Sequence, residues 1–177
     1  MTRLAPILTA RDLPAAELGA LRLDGELVAL DDAYTSIDQP HGVEARALSL
    51  ARYCDDRLIV EQHSAAWVWG ALADPPLRHQ LCASLGARSR SVHPLRLTVR
   101  EVVITDADHV TISGVQVTTP LRTAVDLLRF SEHHDGPLVD RVLALGGVTR
   151  DDCASHLHAR PNLPRKRMAL ERLASRY

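Results

Sequence analysis

The side chains able to do chemistry fall into four groupings, and the largest is cationic. Arg22, then Arg88, Arg90, Arg96 and Arg100, then Arg160, Arg165, Lys166, Arg167 and Arg172 could neutralise an acidic partner, or form a solvated basic face. Residues 78–100 hold five arginines and no acid, a net charge of +5. The tail from residue 160 sets Arg160, Arg165, Lys166, Arg167, Arg172 and Arg176 against Glu171 alone, again +5. By contrast Arg3, Arg11 and Arg22 face seven acids within residues 1–40, a net charge of −4.

The other groupings are catalytic or metal-binding in type. His63-Ser64 pairs an imidazole with a hydroxyl, but neither a nucleophile elbow nor oxyanion glycines accompany them. The reading is Ser64 as a helix N-cap with His63 hydrogen-bonded beside it. Asp106 and Asp108 offer the two carboxylates with which a nucleotidyltransferase holds magnesium, yet no Gly-Ser phosphate loop precedes them. Two aspartates at a hairpin tip are ordinary turn chemistry. Cys153, His156 and His158, with Asp152 or His134 nearby, could supply zinc ligands, but the spacing fits no structural zinc module and suits a solvated helix surface. No catalytic residue, metal or cofactor is expected. A nuclease needs clustered carboxylates and a lysine to hold metal and polarise water, and this chain has only Lys166 and no Glu-x-Lys.

Elements that would position these groups follow from periodicity. Val110, Ile112, Val115 and Val117 alternate as a strand with Gly114 at a bulge or bend. Thr118 or Thr119 caps a helix that starts at Pro120 and sets Leu121, Ala124, Val125 and Leu128 on one face. Leu95 to Thr105 is a long alternating strand that Asp106–His109 turns back into Val110. Upstream, His41–Tyr53 is helical with Val43, Ala47, Leu50 and Ala51 on one face, Leu58–Val60 is a short strand, and a helix from Ser64 packs Ala65, Val68, Trp69 and Leu72 inward. Gln80–Ser84 is a strand and Arg88–Ser91 a basic loop. Leu138, Val142 and Leu145 belong to a helix closed by Gly146-Gly147, Thr149 caps the next with Asp151-Asp152 in its first turn, and a basic helix runs from Arg165 to Tyr177 on Met168, Leu170 and Leu173. Near the start, Asp12 or Pro14 opens a helix, Asp24-Gly25 turns the chain, and Glu26–Tyr34 forms a hairpin. The fold class is mixed α/β (α+β): a small mixed sheet packed with helices.

Three of these stretches carry a resemblance. Gly114–Arg129 is similar to the "GxPVTSPxRTxxDLxR" line of AbiEi-type antitoxins of type IV toxin–antitoxin systems and related actinobacterial regulators, Glu61–Gly70 to their "SHxSAAxLxG" segment, and Leu21–Tyr34 to "LxRxGxLxRLxxGVY", the end of a winged helix-turn-helix. The resemblance runs from about Leu13 to Arg129. It implies a reduced winged helix-turn-helix at 1–40, joined near Gln39-Pro40 to an antitoxin region at 41–177. It also implies a cognate nucleotidyltransferase-like toxin and a promoter that the antitoxin represses.

Asp31 and Asp32 stand in the wing where the family places basic residues, and phosphate binding depends on cations. Two expectations follow: a non-enzymatic antitoxin-like regulator that neutralises its toxin and autorepresses its promoter, or a protein-interaction module that has lost DNA binding. Odd, scattered Cys54, Cys82 and Cys153, and the lack of a membrane span or secretory pattern, fit the cytoplasm. At 177 residues, folding can bury roughly 70% of the unfolded surface, so a real core is available.

Overall fold

A computed structural model describes residues 7–39, 41–86 and 95–175. The N-terminal part is one helix and one hairpin. Helix α1 (Ala15–Leu23) starts at Pro14, turns at Gly25, and leads into β1 (Leu27–Leu30) and β2 (Ala33–Ser36), which pair antiparallel. Leu8, Leu18 and Leu27 make a small core of their own, while Ile7, Leu30 and Ala33 join the main core of the molecule.

The main sheet is assembled from α2 (Val43–Ser49), β3 (Ile59–Val60), α3 (Gln62–Val68), β4 (His79–Ser84), β5 (Leu97–Val102), β6 (His109–Ile112) and β7 (Val115–Thr118). Its five strands run in the order β5-β4-β3-β7-β6, with β3 parallel to β7, β4 parallel to β5, and the other neighbours antiparallel. A helical layer follows: α4 (Pro120–Phe130), α5 (Gly136–Gly146), α6 (Arg150–His158) and α7 (Lys166–Ala174). The mixed α/β class expected from the sequence is the one found. Helix α4 is the hub, touching α3, α5, α6, α7 and β7. One apolar cluster joins sheet, α2 and α3; a second joins α4–α7 with Ala66 and Ala71.

Several local expectations need correction. The 95–105 strand does not fold back onto 110–112: β5 and β6 occupy opposite edges, with three strands between them. What joins them is a 3-10 turn, Asp106–Asp108, closed by a reciprocal Thr105–Asp108 cap. Gly114 marks a two-residue hairpin turn, in which Ser113 (φ 49°) and Gly114 (φ 84°) both take left-handed backbone, as a tight twisted hairpin requires. Ser64 is no N-cap, because α3 begins at Gln62 after Glu61 and carries Ser64 inside it. Trp69 packs against the main core as expected and donates to the Thr118 carbonyl at 2.9 Å, while Trp67, absent from the expected inward face, is the fully buried indole. The 41–53 helix breaks after Ser49 into a 3-10 turn, which leaves Ala51 exposed. The last helix is expected from Arg165 and begins at Lys166; Tyr177 and the basic loop 88–91 lie outside the described residues. The Thr119 and Thr149 caps, Pro120 at the helix start and Gly147 at a helix end stand as expected.

Candidate functional site

Helix α4 is buried almost all round, and three of its buried residues are charged. Asp126 has no solvent exposure and gathers Arg122 Nε at 2.8 Å, Arg129 Nη1 at 2.8 Å and Arg100 Nη2 at 3.3 Å. Arg122 and Arg129 stand four before and three after it, so helix geometry alone puts them on its face. Arg100 arrives from β5 and also donates to Glu61, the residue before α3, through Nε at 2.5 Å and Nη2 at 2.6 Å.

From Arg122 the chain of charges continues to Asp108 at 3.1 Å, and from Asp108 to Arg160 Nη2 at 2.9 Å, with Arg160 also contacting His156. Alternating charges thus run Glu61, Arg100, Asp126, Arg122, Asp108, Arg160, with Arg129 as a branch that also donates to the Pro164 carbonyl at 2.9 Å. They tie α3, β5, α4, the 3-10 turn and the α6–α7 connection together. A lone buried charge costs several kcal/mol, so such a set persists only when every member has a partner.

Titration follows from that wiring. Burial pushes the Asp108 carboxyl up, but the Thr105 backbone bond, Arg160 and Arg122 outweigh it and hold it below the ordinary range. Burial likewise pulls Arg100 down, and Glu61 and Asp126 more than restore it. Arg129 ends below its ordinary value, because burial and the nearby Arg122 and Arg100 prevail over Asp126. Burial, with Glu61 and Asp126 adjacent, pushes the Cys82 thiol up and makes it inert.

A second cluster fastens the hairpin tip to the sheet. Asp31, in left-handed backbone (φ 55°), sets Oδ2 2.9 Å from His79 Nε2 and accepts from Arg96 Nη2 at 2.7 Å. Ser64 Oγ accepts the Gln80 N–H at 2.9 Å, so its own proton is free for His79 Nδ1 at 3.3 Å. That wiring assigns the proton on His79 to Nε2, pointing at Asp31. A serine, histidine and aspartate in sequence suggest a hydrolase, but Ser64 and His79 are fully buried and the Asp31 side chain is 4% exposed, so no substrate reaches them. Burial pushes Asp31 up, while the His79 hydrogen bond and the Arg96 charge help bring it below the ordinary value. Asp32 beside it meets the Tyr53 hydroxyl, with Arg96 at 3.5 Å and Arg52 at 3.8 Å.

The cations singled out from the sequence therefore divide. Arg96 is committed to the hairpin tip, and Arg100 and Arg160 to the charge chain. Arg172 donates to the Leu128 and Ser131 carbonyls, both at 3.0 Å, closing the end of α4. Facing solvent are Arg22 in the last turn of α1 and the start of α7, where Arg165 stands over the Phe130 ring at 5.3 Å. There too, Lys166 Nζ lies 3.4 Å from the His158 carbonyl, and Arg167 pairs with Glu171 at 3.5 Å with its side chain 94% exposed. Arg88 and Arg90 lie outside the described residues.

The suspected chemical pairs come apart. His63 binds Gln80 rather than acting with Ser64; its N–H donates to Gln80 Oε1 at 2.9 Å. Asp106 is exposed, while Asp108 belongs to the charge chain. Cys153 is buried, its thiol pushed up to about 12 by burial and Asp152, and burial and Arg160 push His156 down. Among the described residues no group of three His, Cys, Asp or Glu is placed to hold a metal. Sequence reasoning passed over Glu61, His79, Arg122, Asp126 and Arg129. The one available signal was opposite charges at i, i+4 and i+7 in a helix otherwise apolar enough to be buried all round.

Comparison with known proteins adds three findings. A family model described as the AbiEi antitoxin C-terminal domain matches residues 58–173. No curated protein matches. Among solved structures, the chain is similar to the crystal structure of the Rv2827c protein from Mycobacterium tuberculosis, at 18% identity and a TM-score of 0.49, covering 96% of this chain and 70% of that one.

Proposed function

Because this chain belongs to the AbiEi antitoxin family, an antitoxin-type regulator, we propose that it acts in the cytoplasm without catalysis and neutralises a nucleotidyltransferase-type toxin. The observation that supports this is the destination of the buried charges. Each residue of the alternating chain, from Glu61 to Arg160, lies inside the matched span, and each carboxylate in it is spent on guanidiniums. Such a set braces a scaffold; it leaves no carboxylate to hold a metal or move a proton. No helix among the described residues is long and apolar enough to cross a membrane.

On this reading residues 41–177 form the antitoxin domain, and its acidic macromolecular partner meets cations that the start of α7 turns toward solvent. Those are Arg165, Lys166 and Arg167; Arg88 and Arg90, outside the described residues, are further contacts on this reading. Replacing Arg165, Lys166 and Arg167 together with alanine weakens partner binding at least tenfold while the melting temperature stays within a few degrees. Titration with a co-expressed nucleotidyltransferase-type toxin checks it, and unchanged affinity removes these residues from the interface.

For residues 1–40 the observations favour the module that has lost DNA binding over a promoter-reading head. The exposed side of α1 presents Ala15, Ala16, the acidic Glu17, Ala20 and an 88% exposed Leu23, with Arg22 as its cation, and Asp32 at the hairpin tip keeps its side chain 38% exposed. Phosphate neutralisation supplies most non-specific DNA affinity and needs several cations. A mobility-shift assay with the upstream DNA at low salt separates the two: a salt-sensitive shift that Arg22→Ala reduces restores the promoter role.

A further inference from the structure

One feature outside the charge chain offers unspent hydrogen-bonding groups. A cleft of about 520 Å³ opens between the start of α3, β4 and the α4–α5 connection, lined by Gln62, His63, Gln80, Phe130, Ser131 and His133 among others. Its volume is in the range that holds small organic ligands, roughly 300–1,000 Å³.

The polar groups in this cleft have fixed polarity. Gln62 is 7% exposed and takes left-handed backbone (φ 49°), an outlier for a non-glycine residue and of the kind that gathers at ligand sites. Its Nε2 donates to Glu61 Oε1 at 3.1 Å, and that carboxylate is bound twice by Arg100. The amide cannot flip, since its oxygen would then face the carboxylate. Gln62 Oε1 therefore remains, and it accepts no hydrogen bond from a described residue.

Gln80 is fixed in the opposite sense. Its Oε1 accepts the His63 backbone N–H at 2.9 Å and lies 3.2 Å from His63 Nδ1, leaving its NH₂ donors uncommitted. His63 Nε2 is likewise uncommitted. The aromatic wall is Phe130, against which Arg100 and Arg129 sit at 3.9 and 4.5 Å from the ring centroid.

A locked acceptor, locked donors and an aromatic ring complement a planar heterocycle that carries a donor and an acceptor on one edge. We propose that this cleft binds a nucleobase, with Arg165 as the cation that takes the attached phosphate. Glu132 and Asp135 also line the cleft, and the nearby solvent-facing cation is Arg165, 5.3 Å from the Phe130 centroid. The base can come from a free nucleotide or from a single strand of nucleic acid; the chemistry is shared. This inference does not depend on the toxin reading.

The test is ¹H–¹⁵N NMR of the full chain with nucleosides, the four ribonucleoside monophosphates and a tetranucleotide. The expected result is saturable shifts of the Gln62 and Gln80 side-chain NH₂ resonances. Gln62→Met and Gln80→Met each lower affinity tenfold or more, and Arg165→Ala weakens the nucleotide but not the nucleoside. Tighter binding of the tetranucleotide on the same resonances assigns the base to a strand; the reverse assigns it to a free nucleotide. Unmoved resonances at millimolar concentration of every probe overturn the proposal, as does affinity that survives both glutamine changes. Should a variant not fold, the wild-type resonance map decides alone.

Discussion

Replacing Asp126 with asparagine keeps the shape of the side chain and removes the charge on which three guanidiniums converge. The consequences differ by partner. Arg100 keeps Glu61 and is 24% exposed, so water and a carboxylate still solvate it. Arg122 keeps Asp108 at 3.1 Å. Among the described residues Arg129 pairs with no other carboxylate; with its side chain 5% exposed, it is left with the Pro164 carbonyl and the Phe130 ring. Removing one partner from a buried ion pair costs on the order of 3–5 kcal/mol, a large part of the roughly 5–15 kcal/mol that holds a domain folded. In a chain of this size that loss lowers the melting temperature by about 6–20 °C. Urea titrations give the free energy, and the double variant Asp126→Asn with Arg129→Met locates it: the second change recovers a substantial part of the loss, whereas Arg100→Met does not. A loss below about 1 kcal/mol, the size of a surface pair, would refute the claim that this network braces the fold.

Other outcomes follow from the same geometry. Asp31 and Asp108 are held below their ordinary values in the fold, so they stay ionised where the unfolded chain, with carboxyls near about 3.9, already binds protons. Their contribution is whole above that value and is lost as pH falls from it toward the depressed folded value; a urea midpoint flat from neutral pH to about pH 3 would contradict this. Gly146→Ala places a Cβ 2.3 Å from the Pro120 Cβ, where the end of α5 meets the start of α4, and destabilises by about 1–3 kcal/mol in thermal unfolding. Burial pushes the Cys54 and Cys153 thiols up to about 12 and raises Cys82 as well, so a thiol reagent at mildly alkaline pH labels none of the three until denaturant is added.

What was legible in the sequence was what neighbours in the chain decide. Thr119-Pro120 announces α4 because a hydroxyl and a fixed φ satisfy and shape the first turn. Thr149 and Asp152 announce α6 because the two groups cap each other. The pairing of strands lay beyond it, since β5 and β6 alternate equally well in any sheet, and only the assembled layers place them on opposite edges. So did the roles of the charges. Asp31 and Asp32 resemble an acidic surface that repels DNA, yet Asp31 is claimed by His79, 48 positions away. Arg100 and Arg160 resemble a basic patch, yet their partners Glu61 and Asp108 lie 39 and 52 positions away. Net charge by segment counts ions without knowing which ones are already paired.

That pairing changes how the free cations should work. Affinity is limited by the cost of ordering flexible groups on binding, about 0.5–1.5 kcal/mol for each immobilised long side chain. The α7 cations are rooted in ordered structure. Arg165 lies against Phe130, whose ring is flanked by Arg100 and Arg129 of the buried chain, and Arg172 ties α7 back to the end of α4. Loosening the interior should therefore weaken binding at α7 without touching a residue of that surface. Asp126→Asn, assayed below its melting transition, should raise the dissociation rate of the partner more than it lowers the association rate, because the fold would no longer hold the guanidiniums in place before the partner arrives.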